Sequence, residues 1–246
     1  MPDNPAAKKL QEDWGFADAV VHGDTVWLSG VVAGLRPGET DQVAAYDRAF
    51  ARIGAALAKA GVGWDDVVEM TIYHTEIADL PQFIAAKRKH VRAPYPAWTA
   101  IDIDRLDPDS GLVEIRVIAR KPKAPVFTPS ELPYPFSSAV RVGDVLYLSG
   151  EIGADESGRA VVPGGIESET RAMFQRIGKT LKAHGRSFDD LFKCQVFLAD
   201  IADWPRFNAI SAGYFKAGRY PARSALGVNG LALGAKVEME CWAWAG

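Results

Sequence analysis

The chain of 246 residues predicts an α+β protein made of two tandem copies of one unit, each a mixed β-sheet with two helices on one face. Three observations carry this. Gly23-Asp24-Thr25-Val26-Trp27-Leu28-Ser29-Gly30 returns as Gly143-Asp144-Val145-Leu146-Tyr147-Leu148-Ser149-Gly150. Each copy runs through the same order of strand-like and helix-like periodicity. A proline-bearing stretch, residues 121–133, separates them. The expected units are 1–123 and 124–246. A repeat of this length is a duplicated domain and not a solenoid.

In the first copy, residues 19–22 and 25–29 read as strands about a Gly-Asp turn, with a shorter strand after Gly30. Residues 41–59 carry Val43, Tyr46, Phe50, Ile53 and Leu57 at helical spacing. Residues 66–74 read as a strand, 80–90 as the second helix, and 98–103 and 113–118 as closing strands. The second copy repeats the order. Phe174, Ile177 and Leu181 keep the helical phase, 190–198 is a strand, 204–216 a helix, and 224–228 and 236–242 the last strands. Arg52-Ile53-Gly54 recurs as Arg176-Ile177-Gly178, and Ile77-Ala78-Asp79-Leu80-Pro81 as Ile201-Ala202-Asp203-Trp204-Pro205. The spacing between copies widens along the chain, which places insertions in loops such as 158–165. The linker is expected to form neither helix nor ladder, because its prolines lack the N–H both require.

The last strand sorts by period two. Val237, Met239 and Cys241 suit the helix layer. Glu238, Glu240 and Trp242 face the other way, where a partner subunit or a site is expected.

Composition narrows the function. The net charge is −3 with 24% charged residues, so no basic excess points to nucleic acid. No apolar run approaches a membrane span, and the first residues lack the apolar core of a secretory signal. Two cysteines, Cys194 and Cys241, do not suggest a disulfide framework, and a reducing, cytoplasmic setting is expected. His22, His74, His90 and His184 are scattered, with no zinc-type spacing.

Three further segments identify a family. Leu-Ser-Gly ends the repeated strand, Pro221-Ala222-Arg223-Ser224 follows the second helix, and Val237-Glu238-Met239-Glu240-Cys241-Trp242-Ala243 closes the chain. Together, once per half, they resemble the RidA/YjgF family of enamine/imine deaminases. The resemblance implies a chorismate-mutase-like fold, trimers with clefts between subunits, and hydrolysis of 2-aminoacrylate-like acids to 2-keto acids and ammonia. It implies no cofactor and no metal. Three two-domain chains would supply the domains of two complete rings, so a homotrimer is expected. Neither a nucleic-acid nor a membrane partner is expected.

Carried over by position, Arg223 is the expected substrate-carboxylate anchor and Glu238 the acid associated with the catalytic water. Ser149 and Asn208 are expected to line the cleft. Ala225 stands where the family often has a cysteine, and Phe136 where it has a tyrosine; both are expected at the substrate, as is Glu151. In the first half Trp98 replaces the arginine and Ile84 the asparagine, while Ser29 and Glu114 persist. That half is read as degenerate, structural or walling a neighbouring site with Trp98.

The chemistry suits these residue types. A guanidinium donates two parallel charge-assisted hydrogen bonds to a carboxylate, and a carboxyl beside it can activate water and relay a proton. Arg223 also reads as an ion-pair partner for Glu240, Glu238 as a structural carboxylate, and Asn208 as a pin between helix and strand. Ser149 lacks a His/Asp partner in the sequence, so a nucleophilic triad is unsupported. Two other functions stay open: hydrolysis of a bulkier C=N or C–N substrate, and non-catalytic binding of a carboxylate metabolite.

Overall fold

A computed structural model describes residues 5–121 and 124–246. The first half begins with helix α1 (Pro5–Trp14), which the periodicity did not reveal. Then come β1 (Ala19–His22), β2 (Thr25–Leu28), β3 (Val31–Gly34), α2 (Gln42–Lys59), β4 (Val67–His74), α3 (Leu80–His90), β5 (Ala97–Asp102) and β6 (Gly111–Arg120). The second half contains β7 (Val126–Pro129), β8 (Ser137–Val142), β9 (Val145–Leu148), β10 (Glu151–Ile152), α4 (Gly165–Ala183), β11 (Leu191–Leu198), α5 (Trp204–Ser211), β12 (Ala222–Gly227), β13 (Gly230–Leu231) and β14 (Val237–Trp244). The expected α+β class and the duplication are both present.

Local chemistry sets the boundaries. Asp41 caps α2 by accepting from the Ala44 amide, and Pro81 opens α3 where a missing N–H costs nothing. Both β-hairpin turns place a glycine, Gly23 or Gly143, at φ +59. The second helix of the repeat is shorter than expected: α5 stops at Ser211 and passes into a 3-10 turn over Ala212–Tyr214.

Each half forms a mixed sheet. The strand order is β1-β2-β6-β4-β5 in the first, with β3 also on β6, and β12-β11-β14-β9-β8-β7 in the second, with β10 on β14. Pairing is parallel between β4 and β5 and between β11 and β12. Helices cover one face. Phe50, Ile53 and Phe83 pack on Met70 and Ile72 in the first half; Phe174, Ile177 and Phe207 pack with Val196 and Met239 in the second.

Two expectations fail. Part of the linker is a strand: β7 pairs with β8 at the sheet edge, where Pro129 sits at a bulge and its missing N–H is tolerated. Cys194 and Cys241 are joined by a disulfide, because the β11–β14 register sets them directly opposite.

The halves are bound to each other. Val68, Ala97 and Ile118 of the first pack with Val140, Val142 and Tyr147 of the second. Strand β13, from the second half, hydrogen-bonds to β5 of the first. Arg120 donates to the Tyr147 hydroxyl at 3.0 Å, and the Trp242 indole N–H donates to Glu69. No described helix is long and apolar enough to cross a membrane.

Candidate functional site

Arg223 lies on β12, an edge strand, in register with Cys194 of β11. Cys194 belongs to the helix-side core, so Arg223 also points to the helix side. There α5 holds it. Nη2 donates to Asn208 Oδ1 at 2.8 Å and Nη1 to Ser211 Oγ at 3.2 Å. The guanidinium lies 4.8 Å from the Trp204 ring centroid and 5.6 Å from that of Phe207. Asn208 thus serves as the pin between helix and strand. Ala225, two residues on, faces the same way and packs on the core. No carboxylate pairs with Arg223 among the described residues. Glu240 instead faces away from the helices, 3.6 Å from Arg116.

Glu238 has the opposite parity. It pairs in register with Phe197, on the face away from the helices. Arg223 and Glu238 therefore occupy opposite faces of one sheet, with β11 between their strands. Two strand spacings alone separate them by roughly 10 Å. Within one chain they do not share a substrate.

Glu238 faces a cleft between the halves. Leu80, Ile84 and Trp98 line it from the first half; Phe136, Gly150 and Glu238 from the second. Glycine at position 150 lets the Glu238 carboxyl lie against the backbone, where a Cβ would overlap it. Burial pushes that carboxyl up to about 8, helped by the charges of Glu240 and Glu151. At neutral pH it is a protonated acid. Its Oε2 is buried without a hydrogen-bond partner. The Phe136 ring meets Trp98 edge-on, centroids 6.2 Å apart. Glu151 lines the cleft but is tied to Arg176 at 2.7 Å.

Ser149 joins the halves. Its buried hydroxyl donates to Ser137 O at 2.6 Å and accepts from the Trp98 amide at 2.7 Å. Gly150 N donates to Trp98 O, and Ser137 N to Pro96 O, each at 3.1 Å.

Sequence reasoning missed Lys87. It stands in α3 where the repeat has Ser211 in α5, so the signal was present in the alignment of the two copies. Its Nζ sits 3.9 Å over the Trp98 ring and donates to Pro135 O at 2.9 Å. Burial, then the charge of Arg88, lowers the amine to about 7. The second half thus carries its cation on the strand and a hydroxyl on the helix. The first half carries an indole on the strand and the cation on the helix.

The first half also repeats the other wall of the cleft, but open. Ser29 Oγ donates to Ala17 O at 2.6 Å, as Ser149 does to Ser137. A Cβ at Gly30 would overlap the Glu114 carboxyl, as one at Gly150 would overlap Glu238. Burial raises Glu114 above the usual carboxylate range. Phe16, exposed, takes the place of Phe136. Among the described residues no cluster of His, Cys, Asp and Glu suits a metal ion.

The Endoribonuclease L-PSP family model matches the chain twice, over residues 7–121 and 129–245. The chain is 41% identical over 106 residues to the 2-iminobutanoate/2-iminopropanoate deaminase of Mus musculus, covering 43% of this chain and 78% of that protein. It is 36% identical over 107 residues to Reactive Intermediate Deaminase A, chloroplastic, of Arabidopsis thaliana, covering 44% and 57%. Among solved structures, RidA from the Antarctic bacterium Psychrobacter is 30% identical, with a TM-score of 0.44 over 48% of this chain and 93% of that one. With one match in each half, the chain belongs to the Endoribonuclease L-PSP family, the RidA/YjgF group its motifs resemble, and carries the family's domain in duplicate.

Proposed function

We propose that this protein is a cofactor-independent hydrolytic deaminase of small 2-imino acids, working at Arg223 in a cleft that a second copy completes. The observation that carries the reading is a guanidinium pinned by Asn208 and Ser211, lying over Trp204, and without a carboxylate partner among the described residues. Such a group is set to receive a substrate carboxylate through paired hydrogen bonds. The names of the curated relatives, imine deaminases, support the substrate class.

The pattern of exposure supports the second copy. Strand β5, with Trp98, is buried against the second half; its counterpart β12, with Arg223, is almost wholly exposed. Strand β8 is largely buried against the first half; its counterpart β1 is exposed. The junction used once inside the chain leaves one matching surface free at each end. Such head-to-tail contacts close into a ring when the rotation between successive copies allows it; the closed assembly we propose is a homotrimer.

Joined this way, Arg223 faces Glu114 of the partner subunit. The substrate carboxylate rests on Arg223. Water adds to the C=N carbon while the partner subunit's Glu114 takes one of its protons and returns it to nitrogen; the same carboxyl then passes the proton of the new hydroxyl to the amine, the C=O forms and the C–N bond breaks. R–C(=NH)–COO⁻ and H₂O become R–CO–COO⁻ and NH₃.

Keto-acid release from freshly generated 2-iminopropanoate tests the reading. Losing a paired arginine costs about 2–5 kcal/mol, so Arg223→Ala should lower kcat/KM by at least 30-fold (about 2 kcal/mol). A wild-type rate in that variant, or full activity from a species that light scattering shows to be monomeric, refutes it.

A further inference from the structure

The cleft between the two halves has no role in the chemistry at Arg223, yet it is built as a pocket. It encloses about 130 Å³. An apolar cavity of about 150 Å³ holds benzene, so the space suits one aromatic ring. Aromatic and aliphatic side chains form most of its wall: Trp98 and Phe136 with ring planes 70° apart, with Leu80 and Ile84 of α3 beside them.

Two buried polar atoms on its lining residues have no partner, Glu238 Oε2 and the Trp98 indole N–H. Buried polar groups of this kind are normally satisfied. Among the described residues no free cation faces the space. Lys87 lies against the Trp98 ring and is bonded to Pro135 O, and Arg176 is taken by Glu151. An anion entering would be stripped of water with nothing to pair it. An uncharged ligand with both a donor and an acceptor would satisfy both orphan groups.

We propose that this cleft is a second ligand site, for a small uncharged aromatic carboxamide whose ring packs on Trp98 and Phe136. The amide N–H donates to the carboxyl of Glu238 and the amide oxygen accepts from the Trp98 indole. The site is lined by both halves, so occupancy ties them together. It stands independently of deamination at Arg223.

Benzamide and benzoate are matched in shape and differ in charge. Calorimetric titration of the full-length protein at pH 7 should show benzamide binding once per chain and benzoate at least tenfold more weakly. Ile84→Trp fills the space and should abolish binding; Leu233→Trp, at the exposed rim, is the second blocking variant if the first fails to fold. Arg223→Ala should bind benzamide as the wild type does. Absence of benzamide binding, equal binding of benzoate, binding that survives both blocking variants, or binding lost with Arg223→Ala would each overturn the proposal. The last outcome would place the ligand at the arginine instead. Failure of the deamination reading leaves these results unaffected, because the readout is binding alone.

Discussion

The two halves solve one packing problem with opposite chemistry. Behind the second half's edge strand, Arg223 reaches Asn208 and Ser211 of α5. In the first half Trp98 takes the strand position, Ile84 and Lys87 take those of Asn208 and Ser211, and the cation lies over the indole. Both arrangements pair a cation with aromatic rings. Only the Arg223 arrangement leaves the cation exposed to an incoming acid; Lys87 is buried. A single-domain ring would repeat any substitution at the arginine in every cleft. In the assembly proposed above, Trp98 stands in the inner cleft alone and Arg223 in the outer one alone, so one cleft can lose its anion anchor while the other keeps it.

The largest test of this contrast is catalytic. General acid–base assistance is worth roughly 10²–10⁴-fold. Glu114→Gln should lower kcat for imine hydrolysis by that order, and Glu238→Gln by far less. Equal losses would mean that the inner carboxyl serves the reaction.

Next is the exchange of cations. Trp98→Arg sets a guanidinium beside the Lys87 ammonium, and an uncompensated buried charge costs about 3–5 kcal/mol. Adding Lys87→Ser recreates the Arg223–Ser211 pair and should recover much of the loss in denaturant unfolding. A single variant as stable as the wild type would show that the two positions are uncoupled. Neither variant should double activity per chain, because Ile84 still stands in place of the asparagine.

A third test separates the carboxyls by pH. Folded Glu238 titrates near 8, against about 4.3 for an unfolded glutamate. Across that window the folded chain holds a proton that the unfolded chain has lost, so stability falls as pH rises and levels off above 8. Glu240 and Glu151 face this carboxyl and strengthen the effect; Arg176, paired to Glu151, tempers it. Glu238→Gln should remove a slope totalling on the order of a few kcal/mol. Glu69, raised to about 7 by burial and then by Glu240, leaves a residual slope. Urea midpoints from pH 5 to 9 that decline as steeply as in the wild type would show Glu238 ionised throughout.

The smallest effect compares the hydroxyls. Ser149→Ala orphans both the Trp98 N–H and the Ser137 carbonyl, for about 1–3 kcal/mol. Ser29 is half-buried and makes one bond, so Ser29→Ala should cost less than about 1 kcal/mol. The reverse order in thermal melts would remove Ser149 from the junction.

The repeat made the fold legible. Matching phase in two copies placed every sheet-and-helix element except α1, β7 and β13, which are short, edge-bound or unrepeated. The site was less legible. Period two correctly separated Glu238 from Cys241, but the face of Arg223 depends on its parallel register with Cys194, which one strand's sequence does not carry. Placing Arg223 and Glu238 at one substrate followed from carrying both over from the family resemblance within one half, whereas the sheet sets them on opposite faces. The disulfide was hidden for a similar reason: only the β11–β14 register brings the two cysteines level.

The shared cluster around Val68, Ala97, Val140 and Tyr147 gives the two halves one continuous buried seam. Neither half can separate without exposing apolar surface that the other covers, so heat or denaturant should melt both in one transition. A chain nicked between the halves should remain associated, since the apolar cluster and the β13–β5 ladder hold them independently of the linker.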